Sequence, residues 1–593
     1  MDERLRRERG WIVDLVNVHE MAHTYFGNAV VMRDFAHAWL KESFAEFIEW
    51  EYLEQCGDQA TAHFYILKEL GVYVRECQES YMRPIVANHY QSSYQLFDMH
   101  LYPGGALRLR MLRFLLGPDV FWPAVSAYLT QFHGKVVETA DFRRVLEQQS
   151  GLSLVRFFEQ WLYSPGFLQL KASFSHDSPS AVLTITVEQT QQISGGGSGI
   201  GLFDSDLECL VEVSKDNWIT TTIALSSQKP SSSATLRDVI ARPLQIVFDP
   251  YLKLAHTMDF APGLDLLHRT LMHGPSAAAC MKAARALASL GTRGAVSALQ
   301  EGLTTHPAWG VRLVVAEVLG ELRRAASADI LAAALCKEQD ARVMVAVLSA
   351  LAEHRVPSAE AAVLAFVSSM ETGQQPYTVM AAALSALGAF RNDAHFSTLA
   401  HYAAHGTGPK PSSSCAAIAQ DSNTSKLTTN SPSPPTPWIW VRRGAVQGLG
   451  QLHSARARAW LAAHLNRFPH HHTLRTAVVS ALGTCCEWLS LGEKLAAADV
   501  LVPLCTTDRA ACVRIAAGKA LVSLSGSTHL HVLHQLRSTV CNQDQASVDQ
   551  LIAQCGAKGS SGEEMERLRI RVEELALKID KLDEAADGNG TGK

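Results

Sequence analysis

The sequence predicts a multidomain, mainly α-helical chain with one small β-sandwich between two helical parts. Three observations carry this. Apolar residues recur three and four apart through residues 1–167 and again after Pro262, the period of a helix with one buried face. Between Leu168 and Phe248 the pattern alternates, with turn residues between the runs, which marks strands. After Pro262 leucine pairs recur every 29 to 39 residues, apart from one gap of 65, as stacked repeats do. A chain of 593 residues also exceeds what one core serves, and length alone suggests about three to five domains.

Taken in order, Arg6 to Phe26 reads as one helix with Ile12, Leu15, Val16 and His19 on a shared face and Gly27 at its end. Helical patterns follow at Phe35 to Tyr52, Ala60 to Cys77, Gly105 to Leu116, Asp119 to Phe132 and Thr139 to Gln149, with Thr139 as the N-cap of the last. The strands of a β-sandwich spanning 168–262 are Leu168 to Ala172, Ala181 to Val187, Leu207 to Val213, Trp218 to Leu225 and Leu244 to Phe248. The glycine run Ser194 to Gly201 is a hairpin loop, because no helix follows it to complete a phosphate site.

Residues 263–557 form an α-solenoid whose leucine pairs are Leu287/Leu290, Leu319/Leu322, Leu348/Leu351, Leu384/Leu387, Leu449/Leu452 and Leu521/Leu524, with Leu482/Cys485 in register. Arg312, Arg442, Arg475 and Arg514 each precede the first member by seven. This pattern resembles HEAT repeats, whose exposed faces bind protein partners. The long gap holds a stretch at 406–437 rich in Ser, Thr, Pro and Asn, a composition of disorder. At 563–586, Met565, Leu568, Val572, Leu575, Ile579 and Leu582 make three heptads. Two readings stand: a parallel coiled coil dimerising through Met565 to Leu582, or one amphipathic helix packed on the solenoid end.

Composition excludes several classes. A formal charge of −5 offers no basic footprint for nucleic acid, and no run approaches the ~20 apolar residues that span a bilayer. Met1 to Gly10 carries four arginines and three acidic residues, unlike a secretory or transit segment. Twelve cysteines without a C-x-x-C pair read as buried thiols in a reducing compartment. The expectation is a cytoplasmic protein, or a nuclear one if it serves as a scaffold.

The chemistry is concentrated near the start. His19 and His23 lie four apart around Glu20 in His19-Glu20-Met21-Ala22-His23, and Glu42 follows in Trp39-Leu40-Lys41-Glu42-Ser43-Phe44-Ala45. Histidines at i and i+4 share one helix face, so both imidazoles reach one cation. A catalytic zinc takes three protein ligands and leaves a fourth position open. His19, His23 and Glu42 fill those three places, one Zn²⁺ per chain. Glu20 is then the general base that takes a proton from water polarised by the zinc. For Glu46, one turn beyond Glu42, two readings stand: a carboxylate that orients a ligand histidine from behind, or a surface residue. His37 is structural or exposed and not a ligand, since the three ligand places are filled.

The run from Val18 to Glu49, with Phe26-Gly27-Asn28 and the glutamate motif, resembles the gluzincin aminopeptidases of the membrane-alanyl and puromycin-sensitive type. Phe97-Asp98 followed by Tyr102-x-Gly104-Gly105-Ala106 is similar to the family's stretch carrying its catalytic tyrosine, and Trp161 to Gly166 to the end of its catalytic domain. The resemblance implies a thermolysin-like helical domain over 1–167, peptide substrates cleaved at the N-terminal bond, and Tyr102 donating a hydrogen bond to the oxyanion. Lys41 and Gly104 stand where the family has asparagine and lysine. Its G-A-M-E-N motif and β-rich N-terminal domain would precede residue 1, so upstream sequence encoding them is expected. An aminopeptidase-like domain joined to a solenoid also resembles the TATA-binding-protein-associated subunit 2 of TFIID, and a non-catalytic scaffold is the alternative.

Overall fold

The computed structural model describes residues 3–191, 201–370, 375–406, 438–466, 471–541 and 544–555. Most of the glycine run, the 407–437 stretch and the 563–586 heptads lie outside the described residues. Two compact units are present, Met1–Ala359 and Glu360–Lys593. Their boundary falls inside the helical repeats and not at the junction of strands and helices.

The first unit opens with α1 (Glu3–Ala22), β1 (Val30–Met32), α2 (Trp39–Cys56), α3 (Gln59–Glu79), α4 (Gly105–Leu116), α5 (Pro118–Gln131), β2 (Lys135–Val137), α6 (Thr139–Ser150) and α7 (Val155–Phe158). α2 is the central element, with Trp39, Phe44, Phe47 and Trp50 fully buried. α1 crosses it antiparallel, since Leu15 packs on Leu53 near the far end of α2 while His23 stands beside Glu42 near its start. α1 stops at Ala22, four residues short of the expected Phe26. The chain then folds through wide turns in which Asn28, Ala29 and Val30 donate to the carbonyls of His23, Thr24 and Tyr25. Stacking of Phe26 on Phe44, with centroids 4.1 Å apart, fastens this turn to α2.

Thr139 is not the N-cap of α6. Glu138 takes that place in a capping box with Asp141, because the Thr139 hydroxyl is buried and engaged by Trp39 Nε1 and His37 Nδ1, each at 2.9 Å. That contact makes His37 structural. α4 buries Arg108 and Arg110. Arg110 donates to the carbonyls of Tyr251 and Leu252 and to Glu54, tying the helices to the β-rich part.

That part contains β3 (Leu168–Asp177), β4 (Val182–Gln189), β5 (Ser205–Ser214), β6 (Asn217–Leu225), β7 (Ser231–Leu236), β8 (Gln245–Phe248) and β9 (His256–Phe260). They form a four-stranded sheet, β7-β4-β3-β9, and a three-stranded sheet, β6-β5-β8. Phe248 of one meets Phe260 of the other at 5.0 Å. Sequence reading missed β7 and β9. β7 is Ser-Ser-Ser-Ala-Thr-Leu, an edge strand held by its ladder to β4 without the apolar alternation that announces a strand.

The repeats follow as α8 (Leu264–His273), α9 (Ala277–Leu290), α10 (Arg293–Thr305), α11 (Trp309–Glu321), α12 (Ala325–Leu335), α13 (Ala341–His354) and α14 (Pro357–Ser369). Trp309 of α11 stacks on Phe64 of α3 at 4.6 Å, and its indole N–H donates to Thr61 at 3.0 Å, so the first repeats are part of the compact unit built around α2. The second unit continues with α15 (Tyr377–Ala389), α16 (Phe396–His405), α17 (Trp438–Gln451), α18 (Ala455–His464), α19 (His472–Cys485), α20 (Leu491–Thr507), α21 (Ala511–Ser525) and α22 (Leu530–Thr539). Of the leucine pairs, Leu290 and Leu322 are half-buried and the other members buried. The recurrent arginines anchor the turns between helices: Arg312 holds Glu338 and the carbonyls of His306 and Pro307, Arg442 the carbonyl of Ala403, Arg475 the carboxylate of Asp508, and Arg514 the carbonyls of Asp508 and Thr539.

α15, α17, α19 and α21 lie side by side in one layer. α15 and α17 meet through Gly388, Gly444 and Gly448, where an added Cβ would strike backbone. Gly448→Ala gains about 1 kcal/mol of helix propensity but forces a methyl against the Leu384 carbonyl and Leu399, which costs about 1–3 kcal/mol or more because backbone cannot change rotamer. The expected outcome in urea denaturation is a net loss of up to about 2 kcal/mol. Gly492→Ala, which meets nothing within 4 Å, is expected to be neutral or to stabilise by up to about 1 kcal/mol.

Candidate metal centre

α1 carries His19 in its last turn, and the turn after it carries His23. α2 presents Glu42 between them. His19 Nδ1–H donates to Glu49 Oε1 at 2.6 Å and His23 Nδ1–H to the Phe26 carbonyl at 3.1 Å. Both Nε2 atoms therefore face the space between the helices, where a cation would displace any proton they carry. They stand 3.6 and 3.4 Å from Glu42 Oε2, too far for good N–H···O hydrogen bonds. Two ligands on a tetrahedral zinc, each at about 2.0–2.1 Å, are roughly 3.3 Å apart. The three ligand atoms lie within 4.8 Å of one another, and two imidazole nitrogens with one carboxylate oxygen are a donor set that suits zinc.

The second oxygen of Glu42 is taken. Lys41 Nζ donates to Oε1 at 2.7 Å, which leaves Oε2 as the single donor toward the cluster. Burial pushes the Glu42 carboxyl up, but the neighbouring His19 imidazole and the Lys41 ammonium outweigh that and hold it at about 2. Burial likewise pulls His19 down, yet Glu42 and Glu49 raise it to about 9. Without a metal the cluster thus holds a proton that a cation would displace.

The orienting carboxylate is Glu49, not Glu46. With His19 Nδ1 on Glu49 and His23 Nδ1 on Phe26, neither ring has a nitrogen to spare for Glu46. Glu46 is buried with Oε1 unpartnered, and burial, then Glu69 and Glu49, hold its carboxyl well above the ordinary range. A helical wheel contains the missed signal: at 100° per residue Glu49 lies about 20° from Glu42 around the helix and Glu46 about 40°. Because α1 runs antiparallel, moving back from His23 to His19 means moving forward along α2. Tyr65 donates to the other Glu49 oxygen at 3.0 Å, extending the support.

Glu20 is exposed on α1 and has no hydrogen bond or ion pair among the described residues. Tyr102 is half-buried with its ring 6.3 Å from His19. Burial and then Glu42, with smaller contributions from Glu46 and Glu20, hold its phenol well above the usual range, so it remains a proton donor. It sits on the π-helical turn His100–Gly104 just before α4. Ser43, the residue after Glu42, donates to the Leu101 carbonyl, and Gly105 leaves the space that Ser43 Oγ fills. This interlock sets Tyr102 against Glu42. Gly104 lies against the Tyr73 ring and the Met99 carbonyl, so a side chain there would press on both.

The approach to Tyr102 is shaped by charge. Asp98 accepts Arg83 Nε and Nη2 at 2.8 and 2.6 Å, Tyr81 at 2.8 Å, and the amides of His100 and Leu101. Glu76 accepts His100 Nδ1 at 2.8 Å and the Met99 amide. Glu76, Asp98 and His100 also have ligand-like spacing, but the guanidinium already fills both oxygens of Asp98. Burial pulls the His100 imidazole down, and Asp98, Cys77 and Glu76 overcome it and raise it to about 10.

A helical scaffold that converges two imidazoles and a carboxylate beside an unpaired glutamate and a protonated tyrosine has the features of the metallopeptidase class. Residues 3–161 match the peptidase family M1 domain, and 264–352 and 431–522 match HEAT repeats. Aminopeptidase M1-B of Oryza sativa subsp. japonica is 30% identical over 202 residues, 32% of this chain and 21% of that protein. The puromycin-sensitive aminopeptidase of Caenorhabditis elegans is 30% identical over 188 residues, 31% of this chain and 20% of its own length. The chain thus spans about a fifth of the curated relatives it matches. The crystal structure of Legionella pneumophila aminopeptidase A in complex with aspartic acid aligns with 92% of this chain and 65% of its own at a TM-score of 0.61 and 14% identity, a likeness of fold. The chain is M1 aminopeptidase-like, with HEAT repeats downstream.

Two outcomes follow from this geometry. Glu49→Gln keeps the shape but weakens the hold on His19, and zinc affinity by chelator competition is expected to fall about 10- to 100-fold. A raised His100 contributes stability that is complete below its unfolded value of about 6.5 and is lost as pH rises through about 10. Unfolding free energies of the wild type from urea titrations should therefore fall between pH 6.5 and 10, and those of His100→Gln should start lower, by on the order of a few kcal/mol, and fall less.

Proposed function

We propose that the chain is a zinc-dependent aminopeptidase that hydrolyses the N-terminal peptide bond of peptide substrates. The observation that carries this reading is the convergence of His19 Nε2, His23 Nε2 and Glu42 Oε2 with both Nδ1 atoms tied back. A zinc ion held by these three residues supplies Lewis acidity, lowering the pKa of water and drawing charge from a carbonyl. Glu20, ionisable and unpaired beside the cluster, takes a proton from the attacking water and passes it to the departing amine. Tyr102, kept protonated, donates a hydrogen bond to the carbonyl oxygen as that oxygen becomes anionic. Lys41 and Glu49 fix the ligands on either side.

Restriction to N-terminal bonds is supported by the relatives, which are named as aminopeptidases. The described cysteines are all free, which supports a reducing, cytoplasmic setting. Among the described residues no helix is long and apolar enough to cross a membrane.

Elemental analysis of the purified chain is expected to find about one zinc, lost in His19→Ala and His23→Ala. Glu20→Gln should keep the metal and lower hydrolysis of aminoacyl-arylamides by about 10²-fold or more, and Tyr102→Phe by a similar factor with little change in substrate binding. Unchanged zinc in both histidine variants, or wild-type turnover by Glu20→Gln, would sink the reading.

A further inference from the structure

The second unit carries a polar groove remote in sequence from the metal cluster. Its volume is about 480 Å³, and it runs across the layer of α15, α17, α19 and α21. Small side chains make it. Ala477 and Ala481 form part of its lining on α19, and Gly450 lets α17 approach Ala481 closely. Its α17 wall is Arg443, Gln447 and Gln451, one turn apart, and its α19 wall includes Thr473, Ser480 and Thr484.

The lining has no carboxylate. Arg442 turns inward to the Ala403 carbonyl, whereas its neighbour Arg443 is half-buried in the groove and has no ion-pair partner among the described residues. Gln451 Oε1 is buried without a donor. A half-buried, unpaired guanidinium carries a desolvation cost that an anionic ligand would relieve. The surrounding sequence adds a favourable field: residues 438–541 hold eleven Lys and Arg against four Asp and Glu, in a chain whose net charge is −5.

We infer that this groove binds an acidic peptide in extended conformation, with a carboxylate on Arg443. The dimensions agree. Three interhelix spacings of 8–10 Å give roughly 25–30 Å, the span of about eight extended residues. A nucleic acid is disfavoured because no tryptophan, tyrosine or phenylalanine ring lines the groove to stack on bases and one guanidinium does not make a phosphate track.

The test uses the full chain and an N-acetylated, fluorescein-labelled eight-residue peptide of alternating glutamate and serine, read by fluorescence anisotropy. Acetylation removes the free amine, so the assay is separate from any peptidase activity. Saturable binding with a micromolar Kd is expected, about tenfold weaker for the glutamine-serine analogue. Arg443→Gln should weaken it about tenfold, Ser480→Tyr should weaken it by filling the groove, and Arg509→Gln, an exposed cation outside the lining, should leave it within about twofold. Thermal melts of each variant confirm folding, and the two groove variants are independent of each other. The inference is overturned if no saturation is reached at about 1 mM peptide, if Arg443→Gln and Arg509→Gln weaken binding alike, or if an eight-nucleotide uridine oligomer displaces the probe more readily than unlabelled peptide does.

Discussion

Burying carboxylates on a central helix is the constraint from which the His19, His23 and Glu42 cluster follows. α2 places Glu42, Glu46, Glu49 and Glu51 out of water, and an ionised carboxylate in such a place is costly unless paired. Each is resolved differently. Glu42 has Lys41 and the two imidazoles, Glu49 has His19 and Tyr65, and Glu51 has Arg113 at 3.0 Å, although burial still pushes it up to about 7. Glu46 has no cation and is held toward its neutral form. The same pairings that make the helix tolerable in the core orient the imidazoles, so stability and the ligand geometry share one set of contacts.

The tyrosine side of the site is organised by ion pairs more than by regular structure. Between Ser80 and Leu96 the chain has little helix and no strand, and Arg83 gathers it by donating to Asp98 and to the carbonyls of Pro84, Ile85 and Leu96. Such a network is strong when complete and weak when one member is lost, because the remaining charge is stranded. It reaches Leu101, the residue before Tyr102, whose carbonyl accepts from Ser43.

In the repeats the controlling variable is helix spacing. Glycines bring α15 and α17 close, the recurrent arginines fix the turns, and small residues on α19 leave a groove where larger ones would fill it. One sequence period therefore yields a core on one side and an unfilled polar surface on the other.

The sequence by itself determined what depends on neighbours within a turn or two: the helical period that puts His19 and His23 together, the leucine pairs that face the core, and the change to strands after Leu168. It also placed Glu42 and Tyr102 among the candidate site residues. Only the tertiary structure decided that Glu49 and not Glu46 meets His19, that Thr139 packs against Trp39 instead of capping α6, that β7 and β9 complete one sheet, and that Arg443 is left unpaired in a groove. The physical reason is range. Helical and strand periodicity is a local property of the chain, whereas the direction in which α1 crosses α2, the strand that a polar edge finds, and the cation that a buried carboxylate meets are set by packing between residues 30 to 100 positions apart.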